Sequence, residues 1–229
     1  MHKVYHKIMK IHRFIGRIGD KEISSQIRNV LKLKAGEQII IGDGKGNDEL
    51  VEITGMGKEI TYKSVRRLEV EKLVREVSLY LAILKKENFE LAVQKAVECG
   101  VSKIIPIITK RTIKTGLNIP RLEKIILEAS EQCGRSIVPT LSSILNFKDA
   151  LKDGSESEEK IIFHPIGKTY GVNKEARTIS IFVGPEGGFT EKEIELARNA
   201  GFSVASLGSL TLRGETATII GTYRTVHGI

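Results

Sequence analysis

Residues 77–84, VSLYLAIL, form a run of strand length that is apolar but for Ser78, and residues 87–99, ENFELAVQKAVEC, follow with Phe89, Val93, Ala96 and Val97 on one helical face. Gly100 then stands where a helix ends on a glycine. A strand apolar along nearly its whole length, tied to an amphipathic helix, marks a parallel sheet covered on both faces. The pattern repeats outward from this point. Residues 103–109, KIIPIIT, make the next strand, and Pro120 after Asn118 opens a helix whose apolar stripe is Leu122, Ile125, Ile126, Ala129 and Cys133. Residues 160–164 and 178–183 are two further strands. Thr190 and Glu193 form a capping box for a helix reaching Ala200; residues 203–207 are a strand and 215–226 a closing helix. Strands alternating with helices of this length predict an α/β domain built on a parallel sheet.

Upstream of residue 70 the texture differs. Gly36, the run GDGKGN at 42–47 and Gly55-Met56-Gly57 separate short β-prone pieces at 38–41, 50–54 and 59–65, with a single short helix at 26–33. Short strands spaced by turns predict a small barrel or sandwich. The expected organisation is a β domain over residues 1–70 and an α/β domain over 71–229. The polar stretch DGSESEEK at 153–160 reads as a surface loop.

Composition narrows the function classes. With 41% hydrophobic and 28% charged residues the chain is of ordinary globular type, and no apolar run approaches the ~20 residues of a membrane span. The first residues lack the pattern of a secretory signal, so a cytoplasmic setting is expected. Cys99 and Cys133 are far apart and read as two buried thiols. Without clustered histidines they argue against a metal site. The formal charge of +8 is uneven. Residues 1–34 hold nine Lys and Arg, among them Lys3, Lys7, Lys10, Arg13, Arg28, Lys32 and Lys34, against Asp20 and Glu22. That is +7, leaving +1 for the rest of the chain. Such clustering is a plausible footprint for a phosphate backbone. The absence of Trp and an aromatic content of 5% speak against a base-stacking platform.

Two late loops carry the chemistry. Gly184-Pro185-Glu186-Gly187-Gly188-Phe189 lies between a strand and a capped helix, where open α/β sheets bind ligands. It lacks the lysine and hydroxyl of a phosphate loop, and Glu186 repels phosphate, so a cationic or zwitterionic ligand suits it better. The second, LGSLTLRGETA at 207–217, leads from a strand into the last helix. His164-Pro165 closes another strand. No Ser-His-Asp or Cys-His arrangement is evident from spacing.

These loops, with HRF at 12–14, VLKLKAGE at 30–37, KAVECGV at 95–101 and EASEQCGR at 128–135, resemble the RsmE family. Its members are small-subunit ribosomal RNA uridine-N3 methyltransferases of the SPOUT superfamily. The resemblance implies an N-terminal PUA-like β-barrel for RNA and a C-terminal α/β domain with a trefoil knot. It also implies a homodimer and S-adenosylmethionine as cofactor. Carried over by position, the cofactor loops are Gly184, Pro185, Glu186, Gly187 and Gly188, then Leu207, Gly208, Ser209, Leu212 and Arg213, with His164 and Pro165 as a third wall. Arg213 is expected to stabilise charge on the uracil carbonyls and Glu215 to accept the N3 proton, with Glu186 as rival acceptor. Arg13, Arg28, Lys32 and Lys34 are expected to hold phosphates of 16S ribosomal RNA or the small subunit, with Arg135 adding to them across the dimer. A 2′-O-ribose methyltransferase of the same superfamily and a non-catalytic RNA-binding assembly factor are the alternatives. Pro185 and Gly214-Glu215-Thr216 favour base methylation over the former.

Overall fold

The structure is a computed structural model, and it describes residues 11–70 and 73–229. Lys3, Lys7 and Lys10 of the basic segment lie outside the described residues. The chain divides into two compact units. The first holds the N-terminal part to residue 72 together with Leu127–Val138, and the second holds Leu73–Ile126 and Pro139–Ile229.

In the first unit, strands β1 (Arg13–Ile15), β2 (Gln38–Gly42), β3 (Asp48–Met56) and β4 (Ile60–Leu68) form one sheet in that order. β1 and β2 are parallel, and the β2–β3 and β3–β4 pairs are antiparallel. The glycine run at 42–47 makes the β2–β3 turn, where Asp43 accepts the backbone N–H of Lys45 at 2.8 Å. Helix α1 (Lys21–Ser25) runs into a π-helical turn, Gln26–Val30, so helical structure starts earlier than the expected 26–33. Phe14, Ile18, Ile23, Ile27, Ile39, Val51, Ile53 and Ile60 form the core of this unit.

The second unit is an all-parallel sheet of seven strands: β5 (Glu76–Ala82), β6 (Lys103–Ile108), β7 (Thr140–Leu141), β8 (Leu145–Asn146), β9 (Glu159–Thr169), β10 (Thr178–Val183) and β11 (Ser203–Ser206). The spatial order is β11-β9-β10-β5-β6-β7, with β8 also on β6. Helices α2 (Lys86–Glu98), α3 (Ile119–Cys133), α4 (Phe147–Asp153), α5 (Glu191–Asn199) and α6 (Gly214–His227) complete the α/β pattern. Local signals are realised closely. Asn118 Oδ1 accepts the Arg121 N–H at 3.1 Å, Thr190 and Glu193 form their capping box, and Gly100 ends α2 at φ +100°. Two features differ from expectation. Helix α4, opened by Asn146, occupies a stretch that shows no long apolar period, and residues 154–156 continue it as a 3₁₀ turn rather than an open loop. Cys133 is exposed while Cys99 is buried, because Cys133 is the last residue of α3 and falls beyond the buried stripe.

The core of the second unit centres on aromatic packing. Tyr80 and Phe182 stack at 4.3 Å, and Phe202 and Phe147 meet Phe182 edge-on. The residues that fill the sheet are therefore the apolar runs of β5, β6, β9 and β10, which burial on both faces demands.

Candidate active site

Strands β9, β10 and β11 lie side by side, so their carboxyl ends bring three loops to one edge of the sheet. β10 ends at Val183 and feeds residues 184–189 into the capped helix α5. β11 ends at Ser206 and feeds residues 207–213 into α6. β9 keeps register with β10 only as far as Phe163, then bends and pairs through Lys168 and Thr169 with Ala205 and Ser206. His164 and Pro165 sit in that bend. The three segments enclose a cavity of about 640 Å³, a size suited to a nucleoside-scale ligand.

The first loop is a tight turn. The Gly188 N–H donates to the Pro185 carbonyl at 2.7 Å, and Gly188 takes φ +67°, a conformation that leaves glycine the natural occupant. Glu186 faces the start of α2, where one carboxylate oxygen accepts the Lys85 N–H at 2.9 Å. A carboxylate there also meets the favourable end of the helix dipole. The second loop begins with the Ser206 hydroxyl, which donates to the Gly208 carbonyl at 2.7 Å. It ends where Gly214 enters α6; a Cβ on Gly214 would stand 2.8 Å from Leu84.

Of the residues expected at the cofactor, His164, Pro165, Gly184, Pro185, Glu186, Gly187, Gly188, Leu207, Leu212 and Arg213 line this cavity. Gly208 and Ser209 belong to the same loop but stand off the wall and are exposed. The wall also contains Leu210, Gly214 and Ala217 of the second loop motif, and Lys85 and Asn88 at the start of α2 and Phe163, which motif reading did not single out. Lys85 and Asn88 follow the carboxyl end of the central strand β5, so the strand-end rule alone pointed to them.

Glu215 is the most telling side chain. It is 8% exposed, lines the cavity, and its Oε2 has no hydrogen-bond partner among the described residues. A buried carboxylate oxygen left without a donor is costly, so the site favours a ligand that brings an N–H or a positive charge. Glu186, the rival acceptor, is instead tied to α2. Arg213 is exposed on the cavity wall one residue before α6. Burial, reinforced by Arg111 and Arg198, lowers the pKa of His164, so its imidazole is neutral near pH 7; its Nδ1 accepts the Ile166 N–H. The glycine turns fit a ligand that combines a base with polar groups, as S-adenosylmethionine does, and the orphaned carboxylate leaves an acceptor for an N–H of a second ligand. Among the described residues, no group of His, Cys, Asp and Glu is placed to hold a metal ion.

The residues expected to contact RNA divide sharply. Arg13 has a side chain only 9% exposed and is ion-paired with Asp48, which Ser136 also contacts. Arg28 donates to the carbonyls of Met56, Gly57 and Lys58 and so holds the β3–β4 turn. Both guanidinium groups already have partners within the first unit. Lys32 and Lys34 are exposed, Lys32 at the unusual φ of +54°. Arg135 is half-buried, and its Nε donates to the Ile137 carbonyl.

A parallel α/β unit with two glycine turns at one sheet edge, in a chain that also carries a small β unit, belongs by its family models to the class of RNA methyltransferases. The family model for the RNA methyltransferase domain matches residues 71–223, and the model for the RNA methyltransferase PUA domain matches residues 20–61. The ribosomal RNA small subunit methyltransferase E of Rickettsia conorii is 32% identical over 204 residues, covering 84% of this chain and 82% of that protein. Two solved structures carry bound S-adenosylmethionine. One is the ribosomal RNA small subunit methyltransferase E of Neisseria gonorrhoeae, with TM-score 0.80 and 28% identity over 93% of this chain and 95% of that one. The other is a methyltransferase of Legionella pneumophila, with TM-score 0.81 and 28% identity over 92% of this chain and 94% of that one. The chain belongs to the ribosomal RNA small subunit methyltransferase E family.

Proposed function

We propose that this chain methylates N3 of a uridine in 16S ribosomal RNA, using S-adenosylmethionine held in the cavity between residues 184–189, 207–213 and His164-Pro165. The observation that carries the reading is the buried Glu215 carboxylate, facing that cavity with Oε2 unpartnered among the described residues. When bound, the cofactor supplies a methyl group already activated by its sulfonium, so the work of the chain is orientation and proton removal. Glu215 accepts the proton of uracil N3, whose loss is unfavourable in water at neutral pH. Arg213 stabilises the negative charge that this leaves on the carbonyl oxygens. A neutral His164 adds no positive charge beside the sulfonium.

The first unit, with Lys32 and Lys34 exposed, supplies RNA contacts. The same reading includes a knotted path through residues 184–213, a homodimer and a cytoplasmic setting, all supported by the family resemblance. Calorimetry with S-adenosylmethionine tests the cofactor, and mass mapping of 16S ribosomal RNA from cells lacking the protein tests the product. A uridine that loses one methyl group at N3 is the expected result. An unchanged methylation map with no cofactor heat would sink the proposal.

A further inference from the structure

Against the first glycine turn lies a second turn, at residues 109–112, that follows β6 and does not line the cavity. It is stiff. The Thr109 N–H donates to Thr112 Oγ1 at 3.0 Å, the two threonine hydroxyls are 3.0 Å apart, and the Thr112 N–H donates to the Thr109 carbonyl. Its Lys110 N–H donates to Glu193 Oε1 at 2.8 Å, while Glu193 Oε2 holds Thr190, the residue that closes the glycine loop. The next residue, Arg111, reaches the loop itself. Its Nη1 donates to the Gly187 carbonyl at 2.6 Å and more weakly to the Phe189 carbonyl at 3.5 Å. Its aliphatic stem packs on Gly187, where a Cβ would meet Arg111 Cδ at 3.2 Å. Arg111 is not itself part of the cavity wall, whereas Gly187, Gly188 and Phe189 are.

We propose that Arg111 is a positioning residue for the cofactor, holding the 184–189 turn in its binding shape from outside the cavity. This rests on the methyl-donor site argued above. The physical need is plain: Gly187-Gly188 is the most freely rotating pair a chain can contain, and its peptide planes flip easily unless something fixes them. Arg111 fixes the carbonyls on either side of Gly188. The turn at 109–112 in turn fixes Arg111, because its neighbour is anchored through Glu193 to the other end of the same loop.

The test uses the full chain with Arg111→Met, which keeps the stem and removes the donors, Arg111→Lys, which restores one charged donor, and Lys114→Met as a matched loss of charge on the same segment. Two measurements are made: S-adenosylmethionine affinity by calorimetry, and amide exchange across 184–189 in the ligand-free protein. Arg111→Met is expected to weaken cofactor binding about 10-fold, the weight of one good hydrogen bond from a charged donor. It is also expected to speed exchange in the loop, raising KM for the cofactor while kcat at saturation stays near wild type. Arg111→Lys recovers part of the loss, and Lys114→Met binds and exchanges as wild type. Wild-type affinity and exchange in Arg111→Met overturn the assignment, as does a loss of kcat at unchanged affinity. If the unaltered protein does not bind the donor, the proposed function falls, and the exchange comparison still decides whether Arg111 holds the turn.

Discussion

Gly221→Ala puts the packing of the last helix and the shape of the cavity to one test. Gly221 lies on the buried face of α6 with Gly214, Thr218, Thr222 and Thr225, and this face of small residues lets the helix approach closely. A Cβ at 221 would stand 2.7 Å from Phe163 Cε2 and 3.2 Å from Cδ2. Phe163 cannot swing away freely, since it is 6% exposed and meets the Tyr170 ring edge-on at 5.5 Å. Two opposing effects set the outcome. Alanine in a helix interior is favoured over glycine by about 1 kcal/mol. Forcing a methyl into a packed contact costs about 1–3 kcal/mol. Packing wins, leaving a net loss of about 1 kcal/mol, which lowers Tm by roughly 2–4 °C for a chain of this size. Phe163 also lines the cavity, so the displaced ring weakens cofactor binding, and the thermal stabilisation conferred by S-adenosylmethionine shrinks as well. Differential scanning calorimetry with and without the donor reads both. A variant that melts above wild type with donor stabilisation intact would refute the reasoning, because Phe163 would then have room that the contact distances deny it.

Glu215→Gln and Arg213→Ala should bind S-adenosylmethionine within a few-fold of wild type yet transfer methyl groups roughly 10²–10⁴-fold more slowly, measured as single-turnover rates on ribosomal RNA. Full rates in both remove them from the mechanism. Arg13→Met strands Asp48 in the core of the first unit and should cost about 3–5 kcal/mol in urea denaturation. Lys32→Ala and Lys34→Ala should leave the urea midpoint in place and flatten the salt dependence of RNA affinity by about one contact each. Equal stability losses in all three contradict the division between buried and exposed cations. Burial, with Glu128 and Glu22 nearby, raises the pKa of Glu131 above its ordinary 4.5, although its Oε1 accepts the Ile15 N–H. The folded chain therefore holds that proton more tightly than the unfolded one, and stability falls as pH rises through the raised pKa. Glu131→Gln, which keeps an acceptor for Ile15, should melt higher than wild type at pH 7, and the gain should vanish below about pH 4. A gain that persists in acid would show that ionisation is not its source.

What the sequence announced, and what it withheld, follow from the range of the interactions involved. The capping box at Thr190 and Glu193, the Asn118 cap and the Gly100 terminator are legible because each is closed within a few residues. The two glycine turns are legible for the same reason, as is their place after strands. The order β11-β9-β10-β5-β6 is not, because β9, β10, β5 and β6 each carry an apolar run that fits beside any other and β11 is too short to add a signal. Nor does helical periodicity reveal that α3 changes allegiance at Leu127: its stripe stays regular while its last residues group with the first unit. Charge shows the same limit. Arg13 and Arg28 stand in the same basic segment as Lys32 and Lys34, and only contacts distant in sequence separate them. Asp48 and Ser136 engage Arg13, and the carbonyls at 56–58 engage Arg28, whereas the two lysines remain in solvent. Arg111 escaped attention for the opposite reason. It sits in a polar stretch with no motif, and its meaning lies wholly in two carbonyls more than seventy residues away. A cation in this chain acts according to what it touches, so an RNA footprint drawn from net charge must first subtract the guanidinium groups that the fold has already claimed.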